Sequence, residues 1–145
     1  MNEELTVLAN KTVKSLNDST IVSRLSHWNV RGSNSYECHL LFGRIYDDLS
    51  DLIDPLVEQL RACGFNAEFE QFQGPGIIME FYDCQSLVEL TLDYLMSLSG
   101  TIAMFYRFAE ENHHDPRLVA IANQLQASSS VVLNDMFLLQ AYLGY

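Results

Sequence analysis

The sequence is poor in basic residues, cysteine and proline, and each shortage removes a class of function. Eight Lys and Arg stand against 19 Asp and Glu, a formal net charge of −11. Such a surface repels phosphate and attracts cations, so direct DNA binding is not expected. Acidity also serves solubility alone, and that reading stays beside the cation reading. Cys38, Cys63 and Cys84 are an odd number without Cys-x-x-Cys spacing. They read as reduced, small buried hydrophobes rather than as a disulfide framework or a zinc site. Three prolines, seven glycines and no long polar tract leave no linker, internal repeat or low-complexity segment. One domain over residues 1–145 is therefore expected, its 48% hydrophobic content sufficing for one core. The opening "MNEEL" lacks the basic and apolar regions of a signal peptide, and no apolar run approaches the roughly 18 residues of a membrane span. A cytoplasmic protein without a membrane partner is the expectation. No segment alternates with period two, which points to an all-α fold.

Apolar residues recur instead in four long stripes at helical spacing. The first runs from about residue 3 to 28 through Leu5, Leu8, Val13, Leu16, Ile21, Leu25 and Trp28, and "NVRGSN" breaks it. Asn34 and Glu37 have capping-box spacing. Leu41, Ile45, Leu49, Leu52, Leu56 and Leu60 then carry a second stripe to Gly64, a candidate C′ residue. Pro55 inside it removes one hydrogen bond at a cost of about 3 kcal/mol, but the unbroken apolar phase predicts one kinked helix. "FNAEFEQFQGPG" is the longest irregular stretch, and "IIMEFY" after it is expected to make a short helical turn. Leu87, Leu90, Tyr94, Ser97, Ile102, Phe105 and Phe108 form a third stripe, ended by "EENHHD". Asp115 before Pro116 reads as an N-cap with proline at N1, opening a fourth helix through Leu118, Ile121, Leu125, Leu133, Met136, Leu139 and Leu143. Four amphipathic helices make a four-helix bundle. The long link between the second and third, with its short helix, is a crossover that lets those two run in the same direction, as in ferritin-like bundles.

Chemistry must come from particular residues. Glu-x-x-His, the spacing that ferritin-like di-iron bundles place on two helices, occurs only as Glu110 to His113 and Glu111 to His114, at the frayed end of the third helix. A solvated terminus with histidines near the negative end of the helix dipole is the better reading there. His27 and His39 flank a tight turn and can converge, and Asp54 and Glu58 lie one turn apart on one helix face. Two imidazoles and two carboxylates suit iron or another borderline divalent metal. Asp54 nevertheless lies about 22 Å along the helix from His39, at 1.5 Å per residue. One subunit cannot close such a site, whereas an isologous partner with its second helix antiparallel can. The competing reading is of capping histidines and solvated acids.

The run "HWNVRG", the histidine at position 39 and Asp-x-x-x-Glu at 54 to 58, leading through "LVEQLRACG", resemble the mini-ferritins called Dps, DNA-binding proteins from starved cells. The resemblance covers nearly the whole chain, including "IIMEFY" and the terminal "LLQAYL". It implies a hollow dodecameric cage that oxidises Fe(II), preferably with hydrogen peroxide, and stores the ferric product, protecting against oxidative damage. It also implies ferroxidase sites at two-fold interfaces, with His27 and His39 from one subunit and Asp54 and Glu58 from its neighbour. Trp28 would stand beside the site, although a lone tryptophan on an apolar stripe is more often core.

The sequence departs from the family in several places. One turn after His39, where an acidic residue is common, it has Gly43, and Leu40 replaces a frequent glutamate. No lysine-rich tail is present, so DNA binding is again not expected. "LVAIANQ" follows Asp115 where family cages carry pore acids, leaving His113, His114 and Asp115 either as an altered iron entrance or as a solvated loop. Three functions follow: a peroxide-coupled ferroxidase and iron store, a metal-binding cage with weak turnover, and, with support only from the family name, a nucleoid-binding protein.

Overall fold

The computed structural model describes residues 2–77 and 79–145. Among these are four α-helices, α1 (Glu3–Asn29), α2 (Ser35–Arg61), α3 (Cys84–Glu111) and α4 (Pro116–Leu143), with a 3-10 helix at Phe69–Phe72 and no strand. Side chains stop the helices where backbone groups run out of partners. Asn2 Oδ1 accepts from Glu4 N at 2.8 Å, the Asp83 carboxylate accepts from Ser86 N at 3.1 Å, and the Asp115 carboxylate accepts from Arg117 N at 3.0 Å ahead of Pro116. Gly64, at φ +94°, turns α2 off in a Schellman arrangement in which Phe65 N–H donates to the Leu60 carbonyl at 3.1 Å. α2 continues through Pro55 as one helix, because Leu52, Leu56 and Leu60 remain buried on the same side.

Two expectations about turns do not hold. Asn34 makes no side-chain capping bond, since its backbone is left-handed at φ +63° and its carbonyl, not its side chain, meets Cys38 N–H. The crossover does carry a short helix, but at Phe69–Phe72 rather than in "IIMEFY". Within the latter, Ile78 lies outside the described residues, and the others form no helix. The Glu68 capping box and Gln71 explain the shift. Gln71 is buried, accepts from Glu68 N at 2.8 Å and donates to Asn10 on α1.

α1 and α4 each pack against both α2 and α3, and α2 and α3 face each other across the bundle with little contact. Arg31 N–H donates to the Tyr82 carbonyl at 3.0 Å, and the Ser33 carbonyl accepts from Cys84 at 3.3 Å. The beginnings of α2 and α3 are therefore at one end, so the two helices run parallel, as the crossover requires. The core is filled by Phe42, Leu49, Leu56, Leu98, Phe105, Leu125 and their neighbours, each contributing about 1.5–3 kcal/mol by burial. α3 has the length and composition of a membrane span, but its Leu87, Leu95, Leu98, Ile102 and Phe105 are buried in this core. α1 presents small hydroxyls as well as leucines: Thr12, Ser19, Thr20 and Ser23 are buried, three of them bonded to the carbonyl one turn back.

Candidate metal centre

The five-residue link between α1 and α2 brings His27 and His39 face to face. Their rings stack with centroids 3.9 Å apart and planes inclined by 14°. His27 Nδ1–H donates to the His39 carbonyl at 2.7 Å, and His39 Nδ1–H donates to the His27 carbonyl at 2.6 Å. A carbonyl can only accept, so these bonds place a proton on each Nδ1. In the neutral rings both Nε2 lone pairs are left for a ligand, the arrangement that metal-binding histidines use. The spacing of the histidines predicted their convergence, whereas the mutual bonding has no sequence signal.

Gly43, one turn beyond His39, is part of this arrangement. A Cβ there would fall 2.8 Å from His27 Cε1. Any side chain at 43 would collide with the ring, so the absent acid and the seated His27 are one feature.

Asp54 and Glu58 are exposed and one turn apart on α2. The unbroken helix keeps Asp54 about 22 Å and Glu58 about 28 Å along its axis from His39, at 1.5 Å per residue. Among the described residues no three His, Cys, Asp or Glu side chains gather as a metal-holding group. Trp28 is not core: it is 64% exposed. Arg24 lies 5.9 Å from its ring, stacks at 4.4 Å on Tyr46 and donates to the Tyr46 hydroxyl at 2.6 Å. Leu25, Tyr36 and Leu40, on the same two helices, are exposed as well.

At the opposite end, His113 and His114 are exposed, and His113 Nδ1–H caps the Glu110 carbonyl at 2.8 Å. Asp115 binds the Arg117 guanidinium at 2.7 and 3.1 Å besides capping α4. The Arg117 side chain, and then its backbone N–H, hold the carboxyl down at about 2. His114, Asp115 and Arg117 share the wall of a hollow of about 320 Å³. A paired acid beside an arginine differs in charge from an acid-lined entrance.

Two buried groupings escaped the sequence reading. Asp135 on α4 is fully buried, and no donor reaches either carboxyl oxygen. Its neighbour is another carboxyl, Asp48 on α2, which lies 3.8 Å from Arg44. Desolvation, reinforced by the neighbouring Asp48 carboxyl, pushes Asp135 up to about 8, so Asp135 keeps its proton at neutral pH. At the histidine end, Cys38 on α2 and Cys84 on α3 are both buried, and Cys84 donates to the Ser33 carbonyl at 3.3 Å. Burial pushes the Cys38 thiol up to about 12.

No family model and no curated protein matches the sequence. Solved structures do. A Dps homologue from Halobacterium salinarum superposes with a TM-score of 0.81 at 19% identity, over 97% of this chain and 79% of the other. A Dps protein from Bacillus brevis gives 0.79 at 21% identity, over 97% and 95%. Dps from Thermosynechococcus elongatus gives 0.77 at 15% identity, over 99% and 96%. With four helices, a crossover and these superpositions, the chain has the ferritin-like fold of the Dps mini-ferritins.

Proposed function

We propose that the chain is a subunit of a homo-oligomeric mini-ferritin, a dodecameric cage in the cytoplasm that oxidises Fe(II) and stores the ferric product. The observation that carries this reading is the His27/His39 pair, with both Nδ1 atoms tied to backbone and both Nε2 atoms free. Borderline imidazole donors suit ferrous iron, and the exposed carboxylates of Asp54 and Glu58 supply the hard donors that His27 and His39 lack. A two-fold partner would bring its own Asp54 and Glu58 across. Leu25, Trp28, Tyr36 and Leu40 are exposed apolar side chains on the two helices that carry the histidines, suited to burial under that second copy.

In this site the histidines hold and orient the ferrous substrate, and the carboxylates offset its charge. Peroxide takes one electron from each of two ferrous ions as its O–O bond breaks, and hydrolysis of the ferric product releases protons to solvent. The charge of −11 favours cation capture and opposes direct DNA binding. An iron entrance at His113 and His114 is a further part of the proposal. Asp115, already paired with Arg117, contributes little negative field there.

Gly43 supports a second reading, a cage that binds one metal per site and turns over slowly, because no side chain at that position can help hold a second ion. Stopped-flow absorbance after mixing Fe(II) with metal-free protein, with peroxide or with oxygen, separates the two. Fast peroxide-dependent oxidation that is lost in His27→Ala/Asp54→Ala supports the ferroxidase. One metal retained per site at the protein-free rate supports the second reading, and neither binding nor acceleration overturns both.

A further inference from the structure

We propose that the outward face of α4 is a contact surface for further copies of this chain, the one that joins two-fold pairs into a closed shell. This rests on the homo-oligomeric reading above and names the part of the subunit that completes the assembly. Val119, Asn123, Gln126, Ser130, Leu133 and Phe137 are all exposed, and their three- and four-residue spacing puts them on one side of α4. None is charged. From Leu118 to Leu143 the only Asp, Glu, Lys, Arg or His is Asp135, which is fully buried. α2, in contrast, exposes Asp47, Asp51, Asp54 and Glu58. Leu133 is 52% and Phe137 63% exposed, so the single chain leaves large apolar side chains in water on this uncharged side.

Depletion of charge marks the core of an interface, and on a chain of net charge −11 it is confined here to one helix. Charge also selects the partner. A cationic partner would be held by the acids of α2, and an anionic one finds no lysine or arginine along this face. A second copy fits. Around a rotation axis each residue meets its own counterparts, so a charge there would face itself, whereas leucine and phenylalanine pack against their like. From Val119 to Phe137 the face is about 27 Å long and about 10 Å wide, so each copy offers roughly 300 Å². A stable pairwise interface takes about 800 Å² from each partner. The α4 contact therefore acts where a first contact, on the histidine side, has already made a pair. α4 lies diagonally across the bundle from α1 and does not touch it, so a subunit can make both contacts at once. One two-fold contact stops at a pair, whereas a second, different contact on each subunit lets pairs close into a shell.

The test uses the full chain without metal. Wild type and Leu133→Glu are compared by sedimentation velocity, with far-ultraviolet circular dichroism as the check on folding. The expected result is a helical variant that shifts from the large assembly to two-chain species. An assembly of wild-type size would overturn the proposal, and so would monomers, because α4 would then carry the primary contact assigned to the histidine side. Wild-type protein that is itself monomeric would overturn the mini-ferritin reading as well, which separates the two failures. Hydroxyl-radical footprinting of assembled wild type needs no variant: Phe137 should be labelled as slowly as the buried Phe105. Labelling of Phe137 at the rate of an open side chain would overturn the proposal.

Discussion

Gly43 and His27 compete for one volume: the ring atoms Cε1 and Nδ1 lie 2.8 and 2.9 Å from where a Cβ at position 43 would be. Neither atom can give way cheaply, because Nδ1 is bonded to the His39 carbonyl. The relationship separates metal binding from stability. Gly43→Ala should raise helix propensity by up to about 1 kcal/mol. It should also turn the His27 ring out of the stack and weaken binding of a probe such as Co(II) by roughly 10–100-fold, the usual cost of disturbing a ligand's support. Calorimetric titration and thermal unfolding, measured together, check this; equal binding in the two proteins would contradict it.

Asp135 sets a pH dependence of stability. Its folded-state carboxyl titrates near 8, far above the unfolded value, so the native state holds the extra proton. Its favourable contribution is complete below about pH 4 and is lost as pH rises towards 8. Asp135→Asn keeps the shape, supplies a donor to Asp48 and does not titrate. It should be more stable than wild type at pH 8.5 by about 1–3 kcal/mol and close to it at pH 4.5. Denaturant unfolding at the two pH values gives the answer, and a parallel shift at both would remove the Asp135 proton from the account.

Leu40 is 53% exposed and Trp28 64%, on the two helices that carry the histidines, so the proposed assembly can be tested without iron. Leu40→Glu puts a charge on an exposed apolar position next to His39 and should shift the sedimentation profile from a large assembly towards small species, while far-ultraviolet circular dichroism stays helical. An unchanged assembly would place the two-fold contact elsewhere.

Asp115 caps α4 and binds Arg117, and its carboxyl stays ionised down to about pH 2. A depressed folded-state value means stability present above the ordinary carboxylate range and lost as pH falls through 2. Asp115→Ala should lower the unfolding temperature at pH 7, with the difference shrinking on acidification. A difference that persists at pH 2 would show that shape, not charge, carries the cap.

The bundle was legible because leucine spacing, Asp115–Pro116 and Gly64 are local signals, and each acts where it is written. Pro55 was legible for the opposite reason: the packing of Leu52, Leu56 and Leu60 outweighs one lost hydrogen bond. Asn34 misled because a capping box and a left-handed turn use the same residue types, and only backbone geometry separates them. Gln71 is the residue that moved the short helix, and its partner Asn10 is distant in sequence. Spacing placed His27 beside His39 and kept Asp54 and Glu58 apart. It could not show the burial of Asp135 beside Asp48, which depends on how α2 faces α4.

The mutual bonding of His27 and His39 has one more consequence. Each imidazole is held by the backbone of the other residue, so neither is an independent donor. Removing one ring leaves the backbone carbonyl that anchors its partner but takes away the stacked face 3.9 Å from it, so the surviving histidine keeps only one of its two supports. The penalties of the two single replacements should therefore not sum to that of the double, and the pair behaves as one bidentate chelator formed when α1 folds against α2.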